Sequence, residues 1–197
     1  MHKMVLISIS LATLASGCAY QEKAAAVPRS AVDIGFISAS NMGPGTRVII
    51  NLSEQRAYLI EDGKVSLVAP IASGKPGWST PTGHFSVINK DIDHHSQNFG
   101  SVLDSSGNIA NANATPGTYV PPGCHYRPAP MPYYMEFTQA IGMHAGYLPG
   151  YPASHGCVRM PRDLAERFFE RVSIRTPVTV SGNTRELTSV RRAIPLL

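Results

Sequence analysis

The chain has 197 residues, with 43% hydrophobic and 15% charged positions, the profile of one globular domain able to bury its own core. Seventeen basic against thirteen acidic residues give a net charge of +4 and a pI near 9.1. No basic stripe alternates with aromatics and no nucleic-acid-reading motif appears, so nucleic acid is excluded as a partner. Five of the arginines (Arg159, Arg162, Arg167, Arg171 and Arg175) cluster late in the chain, as the solvated face of one helix would place them. Sixteen prolines and seventeen glycines point to many turns and a mainly β fold.

The N-terminus reads as an export signal. "MHKM" is basic, the eleven residues "VLISISLATLA" are apolar but too short to span a bilayer, and "ASGC" places small residues before Cys18. This resembles a bacterial lipobox, in which a cysteine is lipidated after cleavage, although Ala15 stands where leucine is usual. We expect a signal peptide over 1–17, lipidation at Cys18 and a periplasmic location. Ala19 favours an outer-membrane anchor over inner-membrane retention. Ordinary signal cleavage nearby is the alternative at Cys18. Residues 18–45 then read as a tether.

From Thr46 the pattern sharpens. "VIINL", "AYLI" and "VSLVAPIA" predict three strands, with Asp62-Gly63 closing a hairpin between the second and third. "STPTG" is a rigid turn into a fourth strand, "GHFSVINKD" (83–91). Residues 92–132 are rich in Gly, Pro, Asn and Ser and predict a long loop excursion over a site. Strand character returns in "YYMEFTQAIGMHAG". "PRDLAERFFERV" (161–172) predicts the one helix, with Pro161 at its start and Leu164, Ala165, Phe168, Phe169 and Val172 on its apolar face. "TPVTVSG" (176–182) predicts a last strand, and 182–197 a tail.

Chemistry concentrates in "GMHAG" and "PASHGC". His144, His155 and Cys157 are one conceivable zinc set, but structural zinc sites show paired ligands at short spacing and no second pair follows. The adjacent His94 and His95 could not both face one point even on a strand, because successive side chains alternate. Cys124 and Cys157 form no Cys-x-x-Cys redox motif. The third reading makes Cys157 a nucleophile and His144 its base. A free thiol is mostly protonated at neutral pH, and imidazole titrates in the range needed to take its proton. Gly156 lets a carbonyl approach the backbone, where amides of Gly156 and Cys157 could meet an oxyanion. On residue types alone, a buried inert cysteine with two structural histidines stays open beside this reading.

The ordered motifs reach further. "MHAG…ASHGCVRMP" resembles the signature of the L,D-transpeptidase (YkuD-type) family: a His, a spacer, then Ser/Thr-His-Gly-Cys-x-Arg/Asn. "RVIINLSEQRAYLIEDGKVSLVAPIASGK" is similar to the family's opening strands and "STPTGHFSV" to its Thr-Pro-x-Gly turn. The likeness covers roughly residues 46–181. Papain-like and NlpC-type peptidases carry Cys before His, the reverse order. The resemblance implies an L,D-transpeptidase-like β-sandwich or mixed-sheet domain, with one helix beside the active site.

It also implies roles for particular residues. Cys157 would be the nucleophile and His144 the base, with Ser154, His155 and Gly156 on the oxyanion side. Arg159 would brace the loop or meet a substrate carboxylate. For Arg159 an ion pair at the helix entry, and for Ser154 a turn-forming hydroxyl, are the structural alternatives. Only nine residues (145–153) separate His144 from Ser154, a shorter spacer than the family often shows. Ala145 stands where some members carry Ser, so a backbone carbonyl is expected to orient the imidazole. The implied function is cell-wall cross-linking on peptidoglycan stem peptides, without metal or organic cofactor and with covalent inhibition by carbapenems at Cys157. An L,D-carboxypeptidase and a non-catalytic peptidoglycan-binding lipoprotein are the rivals. Trp78, Tyr119, Tyr126, Tyr133 and Tyr134 are candidates for the cleft wall or for packing.

Overall fold

The computed structural model describes residues 45–184. The signal segment, Cys18, the tether up to residue 44 and the tail from residue 185 lie outside the described residues.

Ten strands and one helix make up the described chain. β1 (Thr46–Asn51), β2 (Arg56–Glu61), β3 (Lys64–Pro70), β4 (Gly83–Ser86) and β10 (Pro177–Ser181) form one sheet in the order β3-β2-β1-β10-β4. β5 (Asn89–Leu103), β6 (Ile109–Ala114), β7 (His125–Thr138), β8 (Ile141–Ala145) and β9 (Val158–Met160) form the second, ordered β6-β5-β7-β8-β9. Both sheets are mixed, since β1–β10 and β8–β9 are parallel pairs. The β2–β3 hairpin forms about the Asp62-Gly63 turn as the sequence predicts, and the segment 83–91 is two strands rather than one.

The core lies between the sheets. Alternate residues of β1 (Val48, Ile50), β2 (Ala57, Leu59) and β10 (Val178, Val180) meet Met135 and Phe137 of β7 and Met143 of β8. This is the two-layer solution open to strands whose apolar residues recur every second position. The helix, α1 (Arg162–Arg171), packs on β7 and β8 and buries Ala165 and Phe168, with Val172 just beyond its end. Pro161 is its N-cap residue, and Lys90 of β5 caps the other end by donating to the Phe169 and Val172 carbonyls at 2.5 and 2.6 Å. A cation at a helix C-terminus satisfies carbonyls left without intrahelical partners.

Residues 92–132, expected as a loop, are an excursion built mostly of strands. β5 and β7 run on past the sheet body as a two-stranded arm, and β6 adds to its edge. Pro128, Pro130 and Pro132 fall at alternate positions of β7, where β8 no longer pairs with it. Their missing N–H groups therefore share one unpaired edge, the place where a sheet tolerates proline. The register of β5 breaks between His95 and Gly100, so that residues 96–99 stand opposite Ala129 alone. This bulge aims Phe99 at the body of the domain.

Candidate active site

The parallel β8–β9 pair builds the site. Its register matches Met143 with Val158 and His144 with Arg159, and one step back sets Cys157 beside Gly142. Residues two apart on a strand share a face, so His144, Gly142 and therefore Cys157 present their side chains on one side of the sheet. The thiol, which the chain brings in from a turn twelve residues after β8 ends, thus meets the imidazole across two adjacent strands.

Gly142 makes room for this. A Cβ there would come within 2.6 Å of both the Met135 carbonyl oxygen and the Tyr134 ring. Without one, the Gly142 N–H faces Cys157 and favours its thiolate. The sequence reading passed over Gly142, because a glycine inside a strand has no local signature. Gly142→Ala is expected to cost about 1–3 kcal/mol through overpacking against backbone that cannot retreat. Urea unfolding of the two proteins measures this, and an unchanged midpoint would show that the strand yields.

His144 is 5% exposed. Its Nδ1–H donates to the Ala145 carbonyl at 2.8 Å, which fixes the tautomer and leaves Nε2 as the acceptor. The orienting group is the backbone carbonyl expected from Ala145. Tyr134 lies against the ring, with centroids 6.4 Å apart, and His94 of the arm stacks on Tyr134 at 4.2 Å. Burial is the main cause that pushes His144 down to about 4, with the nearby Arg159 and His94 charges adding to it and the Ala145 bond opposing.

Cys157 is half-buried, and its thiol points to the Ala140 carbonyl at 3.8 Å. Burial pushes the thiol up, while the Gly142 N–H and the Arg159 charge pull the other way. Burial thus biases both groups towards their uncharged forms, thiol and imidazole.

The turn before Cys157 is held from inside. Gly156 N–H donates to Ser154 Oγ at 3.0 Å, and the Ser154 hydroxyl donates to the Cys157 carbonyl. The Gly156 amide, expected beside an oxyanion, is thus engaged within the turn. The Cys157 amide has no acceptor among the described residues. Gly156 sits at φ +119°, with Ile141 filling the space a side chain would need. Thr80 braces the same turn: its hydroxyl donates to the Gly156 carbonyl at 2.7 Å and accepts the Gly74 N–H at 2.9 Å. "STPTG" is therefore part of the site as well as a strand entry, a role visible only once the two segments are in contact.

A cleft of about 320 Å³ opens over these residues. His144, Ser154, His155, Cys157 and Arg159 line its floor, and Phe99, Pro130 and Met131 of the arm form its far wall. Phe99 stacks on the His155 ring at 4.2 Å, with Trp78 edge-on to both. Among the aromatic candidates, Trp78 and Tyr134 reach the site, Tyr133 packs on Phe169 and Glu166, Tyr126 lies on the arm and Tyr119 is exposed. Arg159 is half-buried in the cleft. Arg159 makes no ion pair among the described residues, so the helix-entry pair considered for it is not made. Cys124 and Cys157 are both free thiols. Among the described residues no three His, Cys, Asp or Glu side chains converge as metal ligands.

The L,D-transpeptidase catalytic-domain family, YkuD, matches residues 45–180. No curated protein matches the chain. Among solved structures, an L,D-transpeptidase from Stackebrandtia nassauensis shares the fold at 20% identity and TM-score 0.54, over 79% of this chain and 62% of that one. A cysteine-to-serine mutant of the Enterococcus faecium L,D-transpeptidase matches at 28% identity and TM-score 0.52, over 71% of this chain but 50% of that one. The isolated catalytic domain of an E. faecium L,D-transpeptidase matches at 28% identity and TM-score 0.50, over 72% of this chain and 99% of the domain. The chain thus spans half to three fifths of the two longer proteins and nearly all of the isolated domain.

Proposed function

The chain belongs to the L,D-transpeptidase catalytic-domain family, and from that premise we propose that it cross-links peptidoglycan through a thioester on Cys157. The observation that carries the proposal is the sharing of one sheet face and one cleft by Cys157 and a buried, tautomer-fixed His144.

Cys157 attacks the peptide carbonyl at the L-centre of diaminopimelate in a tetrapeptide stem, forming the S–C bond. His144 Nε2 takes the thiol proton as the thiol attacks, since the ion-pair form of the two groups is disfavoured by burial. The Cys157 amide faces the developing oxyanion, and Ser154 and Thr80 hold the turn that aims it. The C–N bond then breaks, and His144 returns the proton to the departing D-Ala amine. An amine acceptor attacks the thioester, its excess proton leaves through His144, and the new amide releases the thiol. Arg159, with no carboxylate of its own, meets a substrate carboxylate in this reading. The "VLISISLATLASGC" start supports export to the periplasm and anchoring through Cys18.

Incubation of the protein with disaccharide-tetrapeptides, followed by mass spectrometry, tests the proposal. Cross-linked dimers with loss of D-Ala are expected. Tripeptide products instead would make water the acceptor and the enzyme an L,D-carboxypeptidase. An unchanged substrate overturns the acyl-transfer reading.

A further inference from the structure

We propose that Lys75 is a substrate-binding residue that reads a second carboxylate, the one at the far end of the side chain of the diamino-diacid acyl donor. This inference rests on the function proposed above and assigns a specificity contact to a residue that the sequence motifs leave without a role.

Lys75 stands at the start of the 75–80 turn, pinned at both ends of its own peptide unit. Its N–H donates to the Ser154 carbonyl at 3.0 Å, and its carbonyl accepts the Trp78 N–H at 2.9 Å. The backbone is therefore locked to the turn that precedes the nucleophile, and the ammonium has a defined place. Nζ donates to His155 Nε2 at 3.1 Å. His155 is the acceptor in this bond, hence neutral, and its ring is held between Phe99 and Trp78. An ammonium has three donors, and a neutral imidazole occupies one of them. No carboxylate pairs with Lys75 among the described residues.

The charge pattern around it is one-sided. The Lys75 and Arg159 charges both act on His155, and both hold its imidazole below the usual range together with burial. The carboxylate whose charge reaches Cys157 is Glu136, which accepts the Ala140 N–H and pairs with neither cation among the described residues. Arg159 in the cleft lining and Lys75 on the lining residue His155, neither ion-paired among the described residues, favour an anionic ligand, because partial burial strengthens each attraction.

Their spacing distinguishes which anion each takes. Arg159 lines the cleft together with Cys157 and pairs with His144 across β8 and β9, so it stands near the scissile bond, within reach of the carboxylate of the departing residue. Lys75 is bonded to His155 and does not itself line the cleft that holds Cys157, so it reaches the site from beyond the His155 ring. An acyl donor with a second carboxylate at the end of its side chain matches this two-cation layout. A donor ending in an uncharged amide leaves Lys75 facing a group that cannot neutralise it.

The test is a binding cycle in the full chain carrying Cys157→Ala, so that it does not depend on turnover. The probes are two tetrapeptide stems that differ only in the donor side chain, one with the free carboxylate and one with the carboxamide. Calorimetry should show the acid bound about tenfold more tightly, the size of one charge-assisted hydrogen bond at a partly exposed site. Adding Lys75→Met should bring the two affinities together by weakening only the acid, and Lys75→Arg should keep the preference. Equal weakening of both peptides by Lys75→Met would make Lys75 a brace for His155 and overturn the proposal. So would an acid preference that survives Lys75→Met, equal affinities at the start, or no binding of either peptide. Thioester formation on the protein with Cys157 intact, read by mass, reports separately on the acyl-transfer reading.

Discussion

Cys157→Ala is expected to abolish acyl-enzyme formation and to lower turnover by roughly 10⁴-fold or more, the scale on which loss of a nucleophile falls in triad-type enzymes. The side chain removed is small and half-buried and makes one long contact to the Ala140 carbonyl, so the fold should hardly register the change. Thermal unfolding within a few degrees of the parent protein would confirm that chemistry alone was lost. Intact-mass measurement after exposure to a carbapenem gives the sharper readout: one adduct on the parent protein and none on Cys157→Ala. Cys124 is an internal control, because it is also a free thiol but lies away from the cleft lining. An adduct that persists in Cys157→Ala would locate the reactive thiol there, and turnover that persists would remove Cys157 from the mechanism.

The second expected result concerns His144 and has two sides. Its imidazole is held at about 4 in the folded chain, against an ordinary value of 6.5. Below pH 6.5 the unfolded chain therefore binds a proton at this position and the folded chain does not. Stability contributed by the neutral form is fully present above pH 6.5 and is lost as pH falls towards 4. The loss amounts to about 3 kcal/mol over that window. His144→Gln keeps the volume and cannot titrate, so its urea midpoint should fall less between pH 7 and pH 4.5 than that of the parent. Equal falls in the two proteins would mean that His144 is not the acid-sensitive group.

In the proposed mechanism the same position governs chemistry. As the base must be neutral to accept a proton, the acid limb of kcat/KM should lie near pH 4 rather than near 6.5. Burial holds the thiol up, so alkylation of Cys157 by iodoacetamide, measured in Cys124→Ser protein, should be slow at pH 7 and rise steadily above the ordinary thiol range. A fast, pH-independent reaction at pH 6–7 would instead mean a preformed thiolate–imidazolium pair. His144→Gln should lower turnover by about 10²–10⁴-fold, the usual share of a general base.

Much of this arrangement is legible before any coordinates exist. The β2–β3 hairpin, the α1 boundaries to within a residue, and the order His144 before Cys157 follow from local rules: turn chemistry, apolar period and motif spacing. Ala145 even predicts the backbone carbonyl that orients the imidazole, since no side chain follows to do it. The arm was less legible. A segment carrying Pro128, Pro130, Pro132 and several Asn and Gly reads as loop because proline breaks a ladder. Here the three prolines alternate along an edge where no ladder continues. That distinction depends on where β8 ends, and no local window contains it.

The remaining differences share one cause. Gly142, Thr80 and Lys75 act on residues that lie between 15 and 80 positions away in the chain, through the register of β8 on β9 and the packing of one turn on another. The sequence by itself determined the family, the mainly β class of sheet, and the candidate pair His144 and Cys157. Only the tertiary structure decided the burial that biases the pair towards neutral forms, the engagement of the Gly156 amide within its turn, and the placing of Arg159 in the cleft and Lys75 on His155. Those are set by burial and by non-local distances. Both arise when the sheets close on each other, and neither is a property of any one segment.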